Sequence, residues 1–209
     1  VREVESFTSS ELRLFNPYQW LLKYPAALRP SSLLAVQGDF RILGNLAHRV
    51  IERYFRRQDA LSMSERDYNI WFDEMLPEVI TQDGATLLLP GNGAIRENFR
   101  YRLHWALSSM RRQLSDANIK RISPERTVSG KFPGGQLTGM ADLILENSQG
   151  APGIVDIKWS GAKKYLQKLS DNSHLQLAIY AGLIRQETGR WPATAYFILD
   201  RNVFITQDI

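Results

Sequence analysis

Residues 137–160 read LTGMADLILENSQGAPGIVDIKWS. Two apolar runs, 137–146 and 153–160, flank the turn-rich Asn147-Ser148-Gln149-Gly150-Ala151-Pro152, the pattern of two strands joined by a loop. Side chains alternate faces along a strand, so Asp156 and Lys158 point to one side and Val155 and Ile157 to the other. The apolar flanks bury this strand, and a buried carboxylate costs free energy unless it is paired or binds a cation. If the two runs pair as a hairpin, Asp142 comes beside Asp156 on one face. Close carboxylates raise each other's pKa unless a cation neutralises them. An all-oxygen environment of this kind suits Mg²⁺ or Mn²⁺. The neighbouring Lys158 ammonium can orient a water or offset charge on a phosphate. Such a grouping suits metal-assisted phosphodiester hydrolysis. The same residues would also serve as a structural ion-pair cluster between strands.

Upstream of this stretch the period is helical. Thr8-Ser9-Ser10-Glu11 has the form of a capping box before Leu12, Leu14 and Phe15. Asn16-Pro17 opens a second helix, PYQWLLKY, closed by Pro25 and Pro30. Leu43, Leu46, Ala47, Val50, Ile51 and Tyr54 recur at helix spacing between Asp39 and Arg57. Two more helices are expected after Ser64 and over about 94–114. Downstream, the pattern predicts a strand over 119–131, a polar loop carrying Lys163, Lys164 and Lys168, and a helix over 173–187. Strands over 194–200 and 203–207 follow, joined at Arg201-Asn202. The expected fold is α/β (α+β): a mainly helical part over 1–118 and a sheet core over 119–209, in one domain. The N-terminus has no starting Met, so the chain is expected to be part of a larger protein.

Composition narrows the chemistry. The chain of 209 residues has no cysteine, which rules out thiolate nucleophiles, cysteine-held zinc and iron–sulfur clusters. No run approaches a membrane-spanning length and no apolar signal segment opens the chain, so no membrane partner and a cytoplasmic location are expected. A formal charge of +4 is compatible with a polyanionic partner. His48 and Glu52 are helix neighbours at i and i+4, and a neutral imidazole can ligate a metal. Glu52 would orient His48 or only support the helix. His104 and His174 read as structural. Gln176 and Tyr180 share a helix face at the same spacing. Trp159 could face the core or a base.

Taken in order, these pieces resemble the PD-(D/E)XK nuclease superfamily, and within it the RecB-type branch. The helix G-x-x-x-H-x-x-x-E is Gly44, His48 and Glu52; the strand G-x-x-D is Gly139 to Asp142. The D-x-K strand is Asp156 to Lys158, and the helix Q-x-x-x-Y is Gln176 to Tyr180. The opening S-x-x-L-x-x-F of the branch is matched by Ser9, Leu12 and Phe15, followed by Pro17, Tyr18 and Trp20. Asn16 stands where many members of the branch have the first iron–sulfur cysteine.

The resemblance implies a restriction-endonuclease-like mixed sheet flanked by helices with a helical N-terminal arm. It also implies Mg²⁺ or Mn²⁺ and cleavage of DNA phosphodiesters, as an exonuclease in repair or recombination beside a helicase or other repair subunit or domain. His48, Asp142, Asp156 and the Ile157 carbonyl would hold the metal. Lys158 would position water or stabilise the pentavalent phosphate, and Gln176 and Tyr180 would complete the site. Glu125 is a weaker candidate for the same cluster. Arg53, Arg56, Arg57, Lys163, Lys164 and Lys168 would contact DNA phosphates or form a solvated surface. The rival is a non-catalytic DNA-binding or scaffold module on the same fold.

Overall fold

The computed structural model describes residues 4–28, 39–132 and 135–206. In chain order the elements are β1 (Val4–Ser6), α1 (Phe7–Phe15), α2 (Pro17–Lys23), α3 (Asp39–Phe55), α4 (Glu65–Asp83) and α5 (Gly93–Asp116). Then come β2 (Ile119–Phe132), β3 (Gly135–Asn147), β4 (Pro152–Lys158), α6 (Ala162–Ser170), α7 (Leu175–Thr188), β5 (Ala193–Ile198) and β6 (Val203–Thr206). The strands form one mixed sheet: β3 is antiparallel to β2 and β4 and parallel to β1, β4 is parallel to β5, and β5 is antiparallel to β6. Helices cover both faces, which is the restriction-endonuclease-like architecture. No helix among the described residues is long and apolar enough to cross a membrane.

The period-2 alternation of β4 explains the layering. Val155 and Ile157 join Leu143, Leu145 and Phe197 against α3, α4 and α5, where Leu46, Ala47, Val50 and Tyr54 are buried as the helical spacing requires. Ile154 points the other way, with Ile144, Tyr196 and Ile198, against Leu177, Ala181 and Ile184 of α7. Each fully buried aliphatic side chain of this kind stabilises the fold by about 1.5–3 kcal/mol. Trp159 stacks against Phe99 with ring centres 5.3 Å apart, so it belongs to the core.

Two expectations need correction. The N-terminal cap of α1 is Ser6, whose side chain accepts from the Ser9 backbone N–H; Thr8 lies inside the helix. Ser9 is buried and ties the arm together through hydrogen bonds with Glu5 and with Trp20 Nε1 at 2.9 Å. The stretch Val4–Ser6 is a strand, too short to show a period. The segment with Lys163, Lys164 and Lys168 is a helix, so two helices separate β4 from β5. Asn16 caps α2 ahead of Pro17 as expected, accepting from Gln19 at 3.1 Å. Pro30 lies outside the described residues, as does residue 207 at the end of the last strand pattern.

Candidate active site

A strand has two edges, and β2 occupies one edge of β3 from Gly135 to Asn147. The other edge is divided. β1 takes 136–138 and β4 takes 143–146, which leaves 139–142 without a strand partner on that side among the described residues. The opening falls where β4 would next pair. Ile157 N–H, with no ladder carbonyl to meet, donates to Asp142 Oδ2 at 2.6 Å, and Ile157 O lies 3.1 Å from His48 Nε2 on α3. A carbonyl only accepts, so Nε2 carries the proton and Nδ1 is left facing the carboxylates. Nδ1 is 3.6 Å from Asp142 Oδ1 and 3.8 Å from Glu125 Oε1.

Glu125 arrives there through a break in β2. The pairs Pro124↔Leu143 and Arg126↔Ala141 bracket it opposite Asp142. Its φ is +46°, a left-handed conformation that a non-glycine residue rarely adopts within a strand. At the same level β3 changes face: Leu137 and Ala141 pack toward α7, whereas Leu143 packs toward α3. The paired irregularity turns both carboxylates toward His48. Ligand atoms of His48, Glu125 and Asp142 all lie within 4.8 Å of one another. One imidazole nitrogen and two carboxylates form a donor set that fits Mg²⁺ or Mn²⁺.

Asp156 is 2% exposed and shares the face of Ile154, toward α7, from which its charge acts on Asp142. Lys158 Nζ lies 2.6 Å from its Oδ2 as an ion pair rather than an aligned hydrogen bond, and Oδ2 has no aligned donor among the described residues. Burial pushes the Asp142 carboxyl up to about 6; the Asp156 charge adds to this, while His48, Ile157 N–H and Lys158 oppose it. Burial also raises Asp156, against the Lys158 charge. For Lys158 burial works downward, but the Asp156 charge outweighs it and keeps the ammonium protonated. Burial likewise opposes the His48 cation, and Glu125 and Asp142 together raise it above its ordinary value. The centre thus holds more buried negative charge than its own cations neutralise, an arrangement that a divalent ion relieves.

The other predicted residues stand at different distances from the site. Tyr180 and Gln176 do reach the site. Tyr180 lies flat on β3 because residue 139 is glycine: a Cβ there would sit 2.5 Å from the ring. Burial raises its hydroxyl above the ordinary tyrosine range; the Gln176 side chain and the Lys158 charge oppose this, and Asp142 and Asp156 add to it. Glu52 borders the cleft of about 530 Å³ beside His48 and Glu125, but it is paired with Arg49 and Arg56. Lys168 is close enough to act on Asp156, while Lys163 and Lys164 are exposed on α6. Arg53 is correctly read as a cation but is already committed: it binds Glu78 at 2.8 Å and Gln82 at 2.7 Å, tying α3 to α4. His104 pairs with Asn69 and His174 caps α7, both away from the cluster.

Tyr165 was not foreseen. Its ring packs on Tyr196 with centres 4.7 Å apart and 5.9 Å from Lys158 Nζ, against the D-x-K strand. Ala162, Tyr165, Leu166 and Leu169 recur at helix spacing, so the signal for α6 was present in the sequence.

The model of the PD-(D/E)XK nuclease superfamily matches residues 6–205. The chain belongs to the PD-(D/E)XK nuclease superfamily. Members of this superfamily are phosphodiester-cleaving nucleases that use divalent metals, and the His48, Glu125 and Asp142 cluster provides donors of the kind they need. No curated protein matches the chain.

Proposed function

We propose that the chain is a divalent-metal-dependent DNA nuclease domain of the RecB-type branch, acting as an exonuclease in repair or recombination beside a helicase or other repair subunit or domain. The observation that supports the reading best is the opening in the sheet between β1 and β4, where His48, Glu125 and Asp142 converge beside the Asp156–Lys158 pair. The branch and the repair role rest on the shared order of its motifs from Ser9 to Tyr180.

His48 Nδ1, Glu125 and Asp142 would hold the metal, with Asp156 as a further carboxylate; the Ile157 carbonyl, which accepts from Nε2 on the far edge of the ring, would join the set only once the ring turns. When bound, a divalent ion activates water and neutralises charge on the phosphate. Lys158, kept protonated by Asp156, offers positive charge to a phosphate oxygen as negative charge builds there. It also orients the attacking water by donating to it. Asp156 fixes the ammonium in this position. Tyr180 and Gln176 close the α7 side, and the Tyr180 hydroxyl can hydrogen-bond the phosphate.

Linear DNA and covalently closed circular DNA, incubated with Mg²⁺ or Mn²⁺, test the reading together. Nucleotide release from the linear form alone is the expected result. Equal cutting of the circle would replace exonuclease with endonuclease action. Survival of both forms with either metal would remove the nuclease assignment.

A further inference from the structure

Beyond the cluster, a cleft of about 620 Å³ lies at the C-terminal end of α3 and the start of β2. Arg56, Arg57, Lys120 and Arg121 line it, and no carboxylate does; Phe55 and Ile122 add an apolar floor. The cleft beside His48 is the opposite in character, with Glu52, Asp83 and Glu125 in its wall. Both clefts are walled by α3 and β2, and Glu52 on α3 and Arg56 just past its C-terminal end join them in an ion pair at 2.6 Å. A helix rises 1.5 Å per residue, so His48 and Arg56 are separated by roughly 12 Å along α3.

We propose that this basic cleft binds the sugar-phosphate backbone of the strand being cleaved, about three to four nucleotides from the metal-ligand cluster at roughly 3.4 Å per stacked nucleotide. The proposal rests on the nuclease reading and adds where the substrate lies. Arg57 and Arg121 pair only with Asp59 and Glu146 in exposed positions, and Lys120 has no ion pair among the described residues. Exposed pairs of this kind are weak. A phosphate, which accepts charge-assisted hydrogen bonds from several cations at once, can displace them. The apolar floor suits a sugar or base, and the concave shape suits a single strand.

The test compares wild type with Lys120→Glu/Arg121→Glu. Binding of a labelled single strand of about 12 nucleotides is measured by anisotropy in EDTA over a range of salt concentrations. Hydrolysis of that strand and of a dinucleotide is measured with Mg²⁺. The expected outcome is binding weakened by at least about tenfold, with a salt dependence shallower by roughly 1.4, or about 0.7 for each lost contact. Dinucleotide hydrolysis stays unchanged, because it needs only the cluster. Unchanged strand binding, or equal loss on strand and dinucleotide, would overturn the proposal. Competition by pyrophosphate or a mononucleotide at the strength of the long strand would also overturn it, by marking a free-phosphate site. Lys120→Gln, with an unaltered melting curve, repeats the comparison at a milder substitution and is expected to weaken strand binding in the same direction. If wild type hydrolyses neither substrate, the nuclease reading fails, and the binding comparison still decides the cleft.

Discussion

Replacing Asp142 with asparagine should make the metal-free protein more stable. The carboxyl is pushed from 3.8 up to about 6, chiefly by burial. A group whose folded pKa is raised binds its proton more tightly in the native state. Its favourable contribution is complete below pH 3.8 and is lost as pH rises through about 6. Above that point the native state holds a desolvated carboxylate at a cost of about 3 kcal/mol, taking about 1.36 kcal/mol per pH unit. Asparagine resembles the protonated carboxyl at every pH and can still accept from Ile157 N–H. Asp142→Asn should therefore match wild type near pH 4 and exceed it by about 3 kcal/mol at pH 8 in EDTA. For a chain of this size that is roughly 6–12 °C in Tm. Mg²⁺ or Mn²⁺ should then raise the wild-type Tm with little effect on the variant, since a ligand that binds only the native state stabilises it. A variant less stable than wild type at pH 8 in EDTA would refute the reasoning. It would mean that His48 and Lys158 already neutralise the carboxylate, leaving no charge for a metal to relieve.

Other outcomes follow from particular contacts. Gly139→Ala should displace the Tyr180 ring at a cost of about 1–3 kcal/mol in urea denaturation and lower activity, and adding Tyr180→Leu should restore stability without activity. Lys158→Met should destabilise by roughly 3 kcal/mol at pH 8, because it leaves Asp156 buried without its cation. Thermal melts should show the loss shrinking toward acid pH as Asp156 takes up a proton. Ser9→Ala removes the group that Glu5 and Trp20 share, and chemical denaturation should report a loss of about 1–3 kcal/mol. Arg53→Ala should lower Tm while leaving DNA affinity unchanged, since its guanidinium is held by Glu78 and Gln82.

The parts of the site that follow strict periodicity were legible in the sequence. Alternation along 153–158 placed Asp156 and Lys158 on one face, and the antiparallel pairing of β3 with β4 carried Asp142 to the end of the ladder, beside Ile157. Helix spacing put His48 on α3 and Gln176 with Tyr180 on α7. Breaks in periodicity were not legible. Glu125 enters the cluster through one left-handed residue next to Pro124, and no alternation rule anticipates such a turn. The opening beside β3 depends on β1, three residues long, reaching back across the chain. Charge alone also gave no direction: Arg53 turned inward to α4, while Arg56 and Arg57 joined Lys120 and Arg121 from a distant stretch of sequence.

Degradation of end-labelled linear DNA by wild type and Asp156→Ala, each in EDTA, Mg²⁺ and Mn²⁺, tests the central claim most directly. The account predicts cleavage by wild type only with metal, and none by folded Asp156→Ala under any condition. Retained cleavage by the pure variant, or cleavage by wild type in EDTA, would contradict it.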